Sequence, residues 1–235
     1  LSYLLKRYVF HESGTLVSGI IGGLYSSTAT ISVLARKSRK ASEQEATDYV
    51  AAMLLAVSMM FLRFMILILI FSREIFLSIY PYLLTMAVVA AIVAWFIHSR
   101  QKRPEDQPAE TEEDDSSNPL EFKVALIFAV LFVIFTFLTH YTLVYAGTGG
   151  LNLLSFVSGF SDITPFILNL LQNTGSVAAL IITACSMQAI ISNIMVNMFY
   201  ALFFAGKGSK LRPWILGGFG VVIACNLVLL LFFYI

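Results

Sequence analysis

Apolar and polar positions divide this chain into seven long apolar stretches joined by polar connections. The stretches are 15–35, 47–72, 76–98, 121–146, 151–172, 177–205 and 211–235. A helix needs about 20 apolar residues to cross a bilayer, and each stretch supplies that length. The pattern predicts an all-α, polytopic transmembrane helical bundle of about seven membrane segments.

Two stretches are interrupted by small and hydroxylated residues. The first interruption is Gly22-Gly23-Leu24-Tyr25-Ser26-Ser27-Thr28, the second Ser158-Gly159-Phe160-Ser161-Asp162-Ile163-Thr164-Pro165. Such residues are costly in lipid unless other groups satisfy the backbone. The interrupted stretches can be full spans, broken spans or re-entrant hairpins, and broken spans are the expectation. Interruptions at matching places in two halves are the strongest sequence pointer to a transporter binding site.

Residues 99–119 have no apolar periodicity and hold seven of the 14 acidic residues. They read as a solvated linker between a first membrane repeat, 1–98, and a second, 120–235. A shift of 136 residues places Gly14 on Gly150, Gly23 on Gly159 and Thr28 on Thr164, and 47–72 over 183–208. A rival shift of 140 matches Val17-Ser18-Gly19 to Val157-Ser158-Gly159. Four crossing helices per repeat is an even number, which predicts two parallel repeats. The first residues, Leu1-Ser2-Tyr3-Leu4-Leu5, read as the tail of an apolar helix, so the chain is expected to be a piece of a longer protein with the first helix of its first repeat truncated. Nothing reads as a signal peptide.

Composition agrees with the membrane reading. The 235 residues are 58% hydrophobic and 12% charged, where soluble domains carry about 25% charged residues. A net charge of +1 gives no electrostatic case for nucleic acid. Cys185 and Cys225 lie in apolar stretches and read as small hydrophobes. No Cys/His cluster has metal-ligand spacing, and no cofactor motif is present. No nucleophile–base pair is visible, so no catalytic residue is assigned and enzyme activity is not expected. On the seven-span reading, Arg36–Lys40 with Arg100, Lys102 and Arg103 share one side, while Lys6, Arg7, Arg73, Lys207, Lys210 and Arg212 share the other. Basic residues are then nearly balanced, and the 36–40 loop and acidic linker are read as cytoplasmic.

The runs Ser18-Gly-Ile-Ile-Gly-Gly-Leu-Tyr-Ser-Ser-Thr-Ala, Met60-Phe-Leu-Arg63, Asn118-Pro-Leu-Glu-Phe-Lys123 and Ser158-Gly-Phe-Ser-Asp-Ile-Thr164 stand in an order that resembles one bacterial family. It is the uncharacterised C-terminal membrane domain that follows MgtC/SapB-type domains. The resemblance implies a multi-pass protein of the bacterial inner membrane and no established substrate.

The candidate substrate-binding residues are Ser26, Ser27, Thr28, Arg63, Asp162, Thr164, Asn193 and Asn197. Arg63 sits mid-stretch, where a charge costs at least about 2.5 kcal/mol on insertion scales. Pairing with Asp162 is the simplest way to satisfy both. Asp162-Ile163-Thr164-Pro165 reads as a capped helix start. Ser186, Asn193, Asn197 and Tyr200 fall on one helical face. The bland alternatives are a structural ion pair, amides bridging helices, and close packing at Gly19, Gly23 and Ser27. The reading is a transporter-like domain for an ion or small solute, with a central site at the two breaks, the lipid bilayer as its solvent and a homo-oligomer as a candidate assembly. The competing reading is a structural or regulatory membrane module working with an attached domain or partner.

Overall fold

In a computed structural model, the described residues are 14–39, 43–100, 120–160, 162–172, 178–206 and 209–234. All the regular structure among them is helical: α1 Thr15–Lys37, α2 Glu43–Phe71, α3 Arg73–Ser99, α4 Leu120–Ser158, α5 Ile163–Gln172, α6 Ala179–Ala205 and α7 Arg212–Tyr234. The linker and the start of the chain lie outside the described residues.

Among the described residues, five helical segments are by length and composition alone sufficient to cross a membrane: Thr15–Lys37, Thr47–Phe71, Arg73–Ser99, Ala179–Ala205 and Arg212–Phe232. Large apolar side chains project outward from them, with Ile70 74% and Phe232 76% exposed. Water does not tolerate so many exposed apolar groups on a soluble surface, and lipid does. The protein is a multi-pass membrane protein.

The chain divides into two compact units, and several helices contribute to both. Unit 1 comprises 1–63, 84–116 and 197–224; unit 2 comprises 64–83, 117–196 and 225–235. In unit 1, α2 and α3 run antiparallel. Ser58 Oγ donates to the Ala87 carbonyl at 2.8 Å, and Asp48 meets His98 at 2.6 Å. Buried Met53, Leu54, Val57, Phe61, Met86 and Phe219 form its interior. In unit 2, Phe64, Ile79, Leu83, Phe166, Met187 and Ile190 are buried. There the Tyr82 hydroxyl donates to Asn226 Oδ1 at 2.5 Å, joining α3 to α7.

The α1 interruption is real, but it is not a broken span. Ser26 alone has extended backbone angles within α1, φ −156° and ψ 108°. A Cβ on Gly22 would lie 2.5 Å from Thr30 Oγ1. Eight residues along a straight helix would separate these positions by about 12 Å. The chain therefore folds back at Ser26. The first arm, 15–25, then runs parallel to α2, since Gly19 abuts Ala52 and Gly23 abuts Ala56, a constant offset of 33. The return arm, 27–37, leads back to the start of α2. The α1 segment is a helical hairpin with both ends beside the beginning of α2.

The second interruption folds back too. At Gly147 the chain turns, with φ 57° and ψ −148°, a conformation open essentially to glycine alone. A Cβ on Gly150 would lie 2.7 Å from the Thr142 side chain, so 149–158 doubles back along the end of α4. That arm runs parallel to α6: Asn152 meets Cys185, Ser155 meets Gln188, and Gly159 abuts Ser192, again at an offset of 33. The return arm is α5, which packs on the earlier part of α4 through Phe166 on Phe135 and Asn169 on Thr136.

The basic residues also sit differently from the seven-span reading. Arg39 donates from Nε to the Phe204 carbonyl and from a terminal guanidinium nitrogen to the Phe203 carbonyl at 3.3 Å. Arg36 stacks 4.3 Å from the centre of the Phe204 ring. The end of α1 therefore lies beside the end of α6 and the start of α7. Gly206, at φ 92°, terminates α6 where its last carbonyls meet Arg39. Arg36 and Arg39 lie at the same end as Lys210 and Arg212, which the sequence reading placed on the opposite side, because 151–172, counted there as a crossing, folds back instead.

Candidate functional site

Each hairpin tip carries backbone groups that the fold-back strips of helical partners. Unit 1 holds the first tip. The Arg63 guanidinium, from α2, donates a 2.7 Å hydrogen bond to the Tyr25 carbonyl, at the end of the outgoing arm. Ser26 Oγ accepts from the Ala29 amide at 3.3 Å, capping the return arm. Ser27 is buried, and the Thr28 carbonyl accepts from Ser32 Oγ at 2.8 Å. Positive charge on Arg63 thus faces a carbonyl end, where helix partial charge is negative.

Unit 2 holds the second tip, built in the same way with other residues. Asn193 Nδ2 donates to the Gly159 carbonyl at 3.1 Å, and Ser192 Oγ donates to the Phe156 carbonyl at 2.7 Å. Asp162 Oδ1 accepts from the Thr164 amide at 2.9 Å, capping α5 as the Asp-x-Thr-Pro pattern predicts. Asp162 is exposed, Thr164 half-buried and Asn193 buried. Asn197 is fully buried, one turn along α6 from Asn193.

The structure therefore gathers Ser26, Ser27, Thr28 and Arg63 at one tip and Asp162, Thr164 and Asn193 at the other. Arg63 and Asp162 each have a partner within their own unit. The sequence overlooked Ser192, whose hydroxyl holds a tip carbonyl, along with Asn152, Ser155 and Gln188 on the arm–α6 seam. The signal that finds them is spacing: small or polar residues recur at 33-residue offsets on both hairpins.

A shift of 136 residues carries Gly23 and Ala56 onto Gly159 and Ser192, a pair in the same close contact. It also carries Ser26 onto Asp162, and each caps a return arm.

Ser186 is fully buried with its hydroxyl unpaired. Among the described residues, no three His, Cys, Asp or Glu side chains lie close enough to hold a metal ion. The two cysteines are free thiols.

A relative from Aquifex aeolicus (strain VF5), described as an uncharacterized protein, is 24% identical over 227 residues, covering 94% of this chain and 96% of its own. No solved structure matches. The family match covers residues 1–205, most of the chain, and its description makes no mention of the expected MgtC/SapB association. The chain belongs to the family described as Domain of unknown function (DUF4010).

Proposed function

We propose that this is a transporter-like protein of the bacterial inner membrane that binds an ion or small solute at its hairpin tips. The observation that carries the reading is the depth of the Ser26 turn. The outgoing arm, 15–25, is about 16 Å long at 1.5 Å per residue. That is half of a hydrocarbon core of about 30 Å. The arm 149–158 reaches a similar depth. Non-helical backbone at that depth is tolerated only where protein buries it or where it lines a water-filled cavity. Interrupted helices with polar groups at the midplane are how secondary transporters build sites. Ser26, Ser27, Thr28 and Arg63 are the binding groups of one tip; Asp162, Thr164, Asn193 and, along the same face, Asn197 are those of the other. The like geometry of the two fold-backs, with Gly23 against Ala56 in one and Gly159 against Ser192 in the other, supports the reading.

The second reading is a structural or regulatory membrane module. It is favoured by the hydrogen bonds that Arg63, Asn193, Ser192 and Asp162 already make to the tip backbone, which need no solute to complete them. Water access separates the two. Cysteine would replace Ser26 or Asp162 in a Cys185→Ala, Cys225→Ala background, to be labelled with a membrane-impermeant thiol reagent in cells and inverted vesicles. Labelling that a particular ion or solute blocks supports binding at the tips. Failure of both positions to label from either side, in correctly inserted protein, supports the module.

A further inference from the structure

We propose that one end of unit 1 is a docking surface for the headgroups of anionic phospholipids, with the guanidinium groups of Arg36 and Arg100 as its phosphate-binding groups. It binds lipid whether or not a solute is carried.

Contacts within unit 1 gather several helix ends in one place. His98, in the last turn of α3, meets Asp48 near the start of α2 at 2.6 Å. A Cβ on Gly218 would lie 2.8 Å from the Leu54 side chain and 3.0 Å from that of Ile97. The early turns of α7 therefore pack on the first half of α2 and the last turn of α3. Arg39, just past α1, donates to the Phe203 and Phe204 carbonyls at the end of α6. Basic residues accumulate on these ends: Arg36, Lys37, Arg39, Arg100, Lys210 and Arg212. The acids there, among the described residues, are fewer. Glu43 and Glu45 begin α2, and Asp48 is engaged by His98.

Part of this charge is already engaged, Arg39 by the α6 carbonyls and His98 by Asp48. Among the described residues, the side chains of Arg36, Lys37, Arg100 and Arg212 have no hydrogen-bond or ion-pair partner. Arg36 lies 4.3 Å from the centre of the Phe204 ring, and Arg100 lies 4.6 Å from that of Phe96. A ring engages the flat face of a guanidinium. The N–H groups around its edge are left to donate, in the fork that matches a phosphate. Stacking also holds each side chain in place, so less rotamer freedom is lost when a ligand binds. The neighbouring surface distinguishes a lipid phosphate from a soluble one. Trp95 is 68% and Phe203 64% exposed, and Phe96 and Trp214 are exposed beside them in sequence. Aromatic side chains of this kind belong to the membrane–water boundary. A phospholipid covers them with its glycerol backbone and acyl chains while its phosphate meets the arginines, whereas a soluble phosphate leaves them bare. The further charges of Lys37 and Arg212 favour an anionic headgroup over a zwitterionic one.

Lipid retention by the purified, immobilised full chain tests this. The protein is equilibrated with mixed micelles holding graded amounts of phosphatidylglycerol, or of phosphatidylcholine with the same acyl chains, and the bound lipid is eluted and quantified. Wild type is expected to retain phosphatidylglycerol in preference. Arg36→Gln and Arg100→Gln are each expected to weaken it about fivefold, with phosphatidylcholine unchanged. Arg36→Lys and Arg100→Lys, which keep the charge and lose the fork, are expected to fall between. Arg73→Gln, in unit 2, is expected to keep the wild-type preference. Equal retention of the two lipids by wild type would overturn the proposal, as would a folded Arg36→Gln, Arg100→Gln double variant that keeps the preference. A salt titration needs no variant: sodium chloride raised from about 0.05 M to about 0.5 M is expected to weaken phosphatidylglycerol and spare phosphatidylcholine. Retention indifferent to salt would overturn the proposal. Inorganic phosphate displacing phosphatidylglycerol better than chloride of the same ionic strength would also overturn it, and would assign the arginines to a soluble anion.

Discussion

The Arg63 side chain reaches across from α2 to the Tyr25 carbonyl, the point at which the α1 chain turns back. An arginine in the middle of an apolar helix is thereby tied to the tip of a hairpin. A charge-assisted hydrogen bond contributes about 1.5–3 kcal/mol. Arg63→Ala is expected to destabilise the protein by roughly that amount, and Arg63→Lys by less, because a single ammonium keeps the charge but loses the planar fork. Thermal unfolding in detergent would show it; equal stability of Arg63→Ala and wild type would mean the contact is idle.

At Gly19 and Gly23 the seam between the first outgoing arm and α2 leaves no room for a side chain. A Cβ on Gly19 would lie 2.3 Å from the Ala52 carbonyl oxygen, and one on Gly23 would lie 2.5 Å from Ala56 Cα. Both neighbours are backbone and cannot rotate away. Gly19→Ala and Gly23→Ala are expected to cost about 1–3 kcal/mol each, the usual penalty of overpacking. Gly217→Ala, with nothing within 4 Å of its Cβ, is the matched control and should be neutral. A loss of folded yield in the control as large as in the seam variants would refute the close approach.

Asp162 separates a cap from a charge. Asparagine caps as well as aspartate, whereas alanine costs about 1 kcal/mol. Asp162→Asn is therefore expected to keep wild-type stability and Asp162→Ala to lose about 1 kcal/mol. If the carboxylate also serves a solute, Asp162→Asn loses binding while remaining stable. The pair of variants is read by unfolding temperature and by solute-dependent protection of a Thr164→Cys reporter at the same tip.

Ser186 carries a buried hydroxyl with no partner. Removing an unsatisfied polar group is near neutral or stabilising. Ser186→Ala is expected to unfold at the same temperature as wild type or higher. A drop above about 1 kcal/mol would place an unseen partner on that hydroxyl.

Much of this fold was legible from hydropathy. The stretches 76–98 and 177–205 coincide with α3 and α6 within a few residues, because unbroken apolar runs of that length have no other solution in lipid. The positions of both interruptions were legible too, since Gly-Ser-Thr runs cannot hide in such stretches. Their shape was not. A broken span and a hairpin have the same composition, and only the 33-residue spacing of Gly19/Ala52, Gly23/Ala56 and Gly159/Ser192 tells them apart. Lys210 and Arg212 were placed on the wrong side for the same reason, because 151–172 counts as a crossing when read as a span and it folds back instead. The expected Arg63–Asp162 pair came from matching charge to charge. A reading by residue type sees side chains, whereas the partners found here, the Tyr25 carbonyl and the Thr164 amide, belong to the backbone.

The contacts of Arg39 with Phe203 and Phe204 impose an order on biogenesis. Arg39 and Phe204 are 165 residues apart. At about 5–20 residues per second, the end of α6 leaves the ribosome on the order of ten seconds or more after Arg39. During that interval the nascent first hairpin already carries its arginines but lacks the carbonyls they hold. The contacts that join the end of α1 to the end of α6 therefore form only once α6 has been made, so they close late in synthesis.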